Sequence, residues 1–125
     1  MSKEKSDRLY IRKKLKAEIS KVVDNYFLTA HNKAKYPYAV LDIKETDDQN
    51  YIPYHLEIEV WDKGDNTTTL ETICDDLKSL LDRKRVVEDN YAYIIWFSGC
   101  ITNIDDDKTI KRRVSIFDIH LYKFD

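Results

Sequence analysis

Apolar residues recur every third or fourth position in some stretches of the chain and every second position in others, and this change of period predicts its elements. Ile11, Leu15, Ile19, Val22, Val23 and Tyr26 share one helical stripe, so Ser6 or Asp7 is read as the cap of a helix running to about Phe27. Residues 1–5 are expected to be a flexible tail, and 29–35 a polar connection ending before Pro37. Tyr38 to Lys44 reads as a short strand, and Glu45 to Asn50 as an acidic loop. From Tyr51 to Trp61 the alternation is unbroken. Ile52, Tyr54, Leu56, Ile58 and Val60 share one face; His55, Glu57, Glu59 and Trp61 share the other.

A turn over residues 61–66 leads to Thr68 and Glu71, which have capping-box spacing. Leu70, Ile73, Cys74, Leu77, Leu80 and Leu81 then form the stripe of a second helix ending near Arg83. Tyr91 to Ser98 is almost wholly apolar and reads as a central strand covered on both faces. Cys100 to Lys108 is expected to be a long acidic hairpin connection, and Ile110 to Phe124 a long returning strand. The order is αββαββ. It predicts a single α+β domain over residues 1–125, an antiparallel four-stranded sheet with two helices packed on one face.

Composition narrows the function classes. A chain of 125 residues with 42% apolar and 35% charged residues can bury a core without metals or disulfides. Its two cysteines lack ligand spacing and are expected to be reduced thiols. The N-terminus is too polar for a signal peptide, and the run Tyr91–Phe97 is too short to span a membrane, so a cytosolic site of synthesis is expected. Charge is unevenly spread. Residues 1–21 hold eight Lys or Arg against three acids, +5, which leaves −7 on the remainder of a chain of net charge −2. Such a helix presents either a solvated polar face or a surface for phosphate or acidic partners. Nine tyrosines favour half-buried surfaces and interfaces.

Candidate chemistry is sparse. Glu57 and Glu59 stand at i and i+2 of an alternating strand, where paired carboxylates are the solvent face before they are an acid/base pair. Asp42 and Lys44 with Glu57 and Glu59 have the composition of a metal-dependent nuclease cluster, in which carboxylates hold the ion and a lysine assists water. His31, His55 and His120 have no paired ligand spacing, and Asp105-Asp106-Asp107 lacks the glycine of a calcium loop. No glycine-rich phosphate cradle or nucleophile elbow occurs. The residue types therefore point to no catalytic, cofactor or metal site. Trp61 and Trp96 are large rings among charged neighbours, a pattern of interfaces, although Trp61 could instead pack on the 62–67 loop or the first helix. Arg112 and Arg113 could meet acids on a neighbouring subunit or flank the sheet as gatekeepers.

The basic first helix is followed by the strand Tyr36-Pro37-Tyr38-Ala39-Val40-Leu41, the strand from His55 to Asp62, the helix from Thr68 to Arg83, an aromatic-rich strand and Lys111-Arg112-Arg113-Val114. In that order, from about residue 8 to 123, the chain resembles the tail terminator (tail completion) proteins of long-tailed bacteriophages and prophages. The resemblance implies a structural virion protein without catalysis. Its subunits would form a hexameric ring that caps the tail tube and joins it to the head-side connector, DNA passing only as cargo. It would assemble in the host cytoplasm and remain in the virion tail. On this reading His55, Glu57, Glu59, Trp61, Trp96, Arg112 and Arg113 belong to subunit or tube interfaces. The acidic loops with Glu45, Asp47, Asp48, Asp105, Asp106 and Asp107 would line a lumen that repels DNA. The long inter-strand loop of some members is short and acidic here, so tube contacts do not carry over. Alternatives are another head–tail joining or neck protein, a small nuclease using the Asp42 cluster, and a DNA-binding adaptor using Lys13, Lys14 and Lys16.

Each large aliphatic on the second helix stripe should stabilise the fold by about 1.5–3 kcal/mol when buried. Leu77→Asp is expected to prevent folding; a soluble variant with unchanged circular dichroism would contradict the placement of that stripe.

Overall fold

The computed structural model describes residues 3–30, 33–46, 50–64, 66–88, 90–103 and 109–124. Its elements are α1 (Lys3–Ile19), β1 (Asn25–Phe27), β2 (Tyr38–Glu45), β3 (Ile52–Lys63), α2 (Thr68–Leu81), β4 (Arg85–Val87), β5 (Tyr91–Asn103) and β6 (Ile110–Lys123). The strands form one six-stranded sheet in the order β1-β2-β3-β6-β5-β4. β1 runs parallel to β2, and every other pairing is antiparallel. The sheet is mixed and curls into a half-barrel, which overturns the expected antiparallel four-stranded sheet of αββαββ order.

Two short strands account for most of the difference. α1 stops at Ile19 instead of continuing to Phe27. The Asn25 side chain takes up its end, its amide donating to Ser20 Oγ at 3.0 Å and to the Val23 carbonyl at 3.2 Å. Val22 and Val23 still fall toward the core, but from a turn, and Asn25–Phe27 are free to pair with Ala39–Leu41. β4 forms because α2 ends at Leu81 and Arg83, at φ 62°, reverses the chain. Arg83 N–H then donates to the Ile95 carbonyl at 2.7 Å, and Asp82 Oδ1 accepts the Phe97 N–H at 2.8 Å.

The capping box expected at the start of α2 is not made. Asn66 Oδ1 accepts the Thr68 N–H at 3.1 Å, while Glu71 faces Arg113 on β6 with a Nη2–Oε1 distance of 2.8 Å. A guanidinium offers Glu71 a stronger partner than a backbone N–H.

Alternation on β3 and β6 sends Leu56, Ile58, Phe117 and Ile119 to one face, all fully buried. Ile11, Leu15 and Ile19 of α1 and Leu70, Ile73, Leu77 and Leu81 of α2 join them in a single core. α1 is tied down by side chains as well. Asp7, 5% exposed, accepts from the Tyr91 hydroxyl at 2.6 Å and pairs with Lys123 at 3.0 Å. Asp7 thus lies inside the helix, bridging to the sheet, where a cap had been expected. Tyr10 stacks on Tyr91 with ring centres 4.1 Å apart, and Lys14 meets Glu88 at 2.7 Å.

β5 is longer than its apolar run and is covered on one face only: Trp96 is 36% exposed and Ile101 51%. A register slip between Phe97 and Gly99 inserts a bulge. Simple alternation from Phe97 would turn Ile101 inward; after the bulge Ile101 pairs with Val114 on the opposite face. Among the described residues no helix is long and apolar enough to cross a membrane.

Phe117 is fully buried at the centre of this packing. Phe117→Ala should lower stability by about 3–5 kcal/mol in urea titrations, as expected for deleting a core ring; a loss below about 1 kcal/mol would contradict its central position.

Candidate interaction face of the sheet

Both helices pack on one side of the sheet, so the other side carries only what alternation places there. The ladder registers set these side chains in rows across β2, β3, β6 and β5. One row is Lys44, His55, Asp118 and Trp96; the next is Asp42, Glu57, Ile116 and Gly99. Then come Val40, Glu59, Val114 and Ile101, and last Tyr38, Trp61 and Arg112. The β2–β3 half is therefore largely charged, and the β6–β5 half largely apolar.

Polar groups on this bare face hold one another. His55 Nε2 lies 3.0 Å from Glu57 Oε2, and its Nδ1 lies 3.7 Å from Asp118 Oδ1. Trp61 Nε1–H donates to Glu59 Oε1 at 2.8 Å, and the other oxygen of Glu59 is 3.5 Å from Arg112 Nη1. The Arg112 guanidinium sits 4.8 Å above the Trp61 ring, whose other neighbour is Tyr38, stacked at 6.5 Å. Trp61 is thus half-buried between a cation and an aromatic ring, a well-held anchor. Burial pushes the Tyr38 hydroxyl above its ordinary pKa, with Tyr36 and Glu59 adding to the shift.

An open cleft of about 450 Å³ lies at the other end, lined by Tyr51, Pro53, His55, Trp96, Asp118 and His120 among others. His120 stacks on Tyr51 at 3.9 Å and meets Trp96 edge-on at 4.5 Å. Burial holds the His120 imidazole below its ordinary pKa, and the nearby Asp118 carboxylate only partly offsets this.

Of the residues singled out in the sequence, His55, Glu57, Glu59, Trp61, Trp96 and Arg112 occupy the bare face, across three strands. Arg113 does not; it is on the helix side, held by Glu71. Glu45 is at the end of β2 on the helix side, 4.0 Å from Arg8. Asp47, Asp48, Asp105, Asp106, Asp107 and His31 lie outside the described residues. Asp42 and Glu57 are direct cross-strand partners, with Lys44 3.7 Å from Asp42. Yet Glu57 is engaged with His55, and Glu59 with Trp61 and Arg112. Among the described residues no group of three or more His, Cys, Asp or Glu is placed to hold a metal ion.

The cations proposed for a DNA adaptor are largely used within the fold. Lys14 pairs with Glu88 and lowers that carboxyl's pKa, and Lys16 Nζ donates to the Asn25 carbonyl at 2.6 Å. Sequence reasoning did not single out Tyr51 or Asp118 as site residues. The available signal was the alternation of Asp118, His120 and Tyr122 with the buried Ile119 and Leu121 on β6.

No protein-family model matches the chain, and no curated protein matches it. Among solved structures it is similar to a chain described as the virion of a native gene transfer agent (GTA) particle. The TM-score is 0.59 at 14% identity, over 86% of this chain and 83% of that one. At such low identity the likeness is one of fold.

A histidine whose folded pKa is depressed binds its proton more readily in the unfolded chain. Its contribution is therefore present above the ordinary histidine pKa of 6.5 and is lost as pH falls through the lower folded value. Urea midpoints should fall between pH 7 and pH 5, and His120→Asn should flatten that dependence. An equal slope in the variant would remove His120 from the account.

Proposed function

We propose that this chain is a structural subunit of a phage-like particle, a tail terminator whose copies form a hexameric ring on the tail tube. The observation that carries the reading is the fold, which over most of its length is similar to a chain from a gene transfer agent virion. The order of elements supports the finer assignment, since the basic α1, then β2, β3 and α2, follow one another in the order that the sequence shares with tail terminators. The bare sheet face supports assembly: exposed aromatic and aliphatic groups on one side of a domain are characteristic of surfaces that bury against a partner.

In this reading the ring is built from one repeated contact, and it meets the tail tube protein on one side and the head-side connector on the other. His55, Glu57, Glu59, Trp61, Trp96 and Arg112 belong to subunit or tube contacts. Their mutual hydrogen bonds and ion pairs pre-set the side chains, which reduces the ordering cost of association. Arg113 has a structural task, joining β6 to α2. No bond-breaking step is assigned to the chain, and DNA is cargo.

Purified protein, alone at high concentration and then with its tube protein, should form rings of about six subunits in negative-stain images and light scattering. A chain that stays monomeric in both conditions, or that degrades DNA with magnesium or manganese and loses this in Glu57→Gln, would overturn the reading.

A further inference from the structure

We propose that the bare sheet face of one copy receives the outward side of α1 from a second copy, a front-to-back contact that builds the assembly. The inference rests on the ring reading above and specifies the surface that repeats.

The two surfaces are complementary in charge and in apolar character. On α1, Ile11, Leu15 and Ile19 face the core, and Leu9, Lys13 and Ala17 form an outward stripe at i, i+4 and i+8. Leu9 is 50% exposed. The neighbouring cations are tied down: Arg12 lies 4.4 Å over Phe27, Lys14 meets Glu88, and Lys16 meets the Asn25 carbonyl. Lys13 is not among these contacts; it is exposed between Leu9 and Ala17, in a segment carrying +5.

The bare face offers a matching receptor. The Asp118 side chain is 50% exposed, and its ion-pair partner among the described residues is an imidazole at 3.7 Å. Beside it on β5 stands Trp96, and the two line the cleft with Tyr51 and His120. A carboxylate next to an aromatic wall suits an ammonium group, which gains both the charge and the ring face. The apolar half of the face, with Ile94, Ile101 and Ile116, would take Leu9 and Ala17. A contact between unlike surfaces is heterologous, so repetition gives a closed ring or an open filament and not a symmetric pair.

The test uses the whole chain at concentrations where it assembles. Zero-length carbodiimide coupling of a mixture of ¹⁴N- and ¹⁵N-labelled protein should yield mixed-isotope peptides joining Lys13 to Asp118 or Glu57. Lys13→Glu and Asp118→Lys should each weaken assembly on the order of tenfold, and together restore it, as for a partly desolvated charge pair. Both sites are exposed, and unchanged circular dichroism will verify folding. Rings without this cross-link would overturn the contact and leave the ring reading standing. A symmetric dimer burying the bare face would overturn the front-to-back geometry. A chain monomeric under all conditions would remove both.

Discussion

The antiparallel pairing of β3 with β6 is the constraint on which the remaining structure depends. All twelve residues of β3 are paired, Ile52 with Leu121 at one end and Lys63 with Ile110 at the other. With both backbones locked, alternation leaves no choice about side-chain direction: Leu56, Ile58, Phe117 and Ile119 make a continuous apolar strip. Both helices dock on it because they have nowhere else to bury their stripes. β2 and β5 extend the ladder outward, and β1 and β4 end it as edges of three residues each. Such short edges limit uncontrolled pairing with other chains.

The same ladder produces the bare face. Half of the side chains on the four long strands must point away from the helices, and the chain supplies no third layer among the described residues to cover them. The polar ones among them are organised into pairs: His55 with Glu57, Glu59 with Trp61 and Arg112. Individually, exposed ion pairs contribute little to stability. Their effect is to hold rings and carboxylates in fixed positions on a surface that also exposes Trp96 and Ile101. That arrangement is the basis of the proposed contact surface.

The basic helix has a different meaning in the structure from its meaning in composition. An excess of positive charge over residues 1–21 suggests a phosphate-binding surface. In the fold, much of that charge is spent locally. Lys14 holds Glu88, Lys16 closes the turn to β1, and Arg12 covers Phe27. Together with the Asp7–Tyr91–Lys123 cluster, these contacts fix α1 along its length. Lys13, with Leu9 and Ala17, stays on the outward side of the helix.

Periodicity made the long elements legible: both helices, the inward and outward residues of β3, and the inward row of β6 follow from residue spacing alone. Contacts at i and i+2 on a strand, such as His55 with Glu57 or Trp61 with Glu59, were within reach of the same reasoning. β1 and β4 were not, because three residues carry too little pattern, and Tyr26 fits a helix stripe as well as a strand. Nor was the outward turn of Ile101, which a single bulge decides. The sequence by itself determined which residues seek burial and at what local period, since that depends on near neighbours. Only the tertiary structure decided strand order, parallel pairing at β1 and the meeting of Asp118, His120 and Tyr51 with Trp96. Those depend on register between segments far apart in the chain, where a slip of one residue would send every side chain to the opposite face.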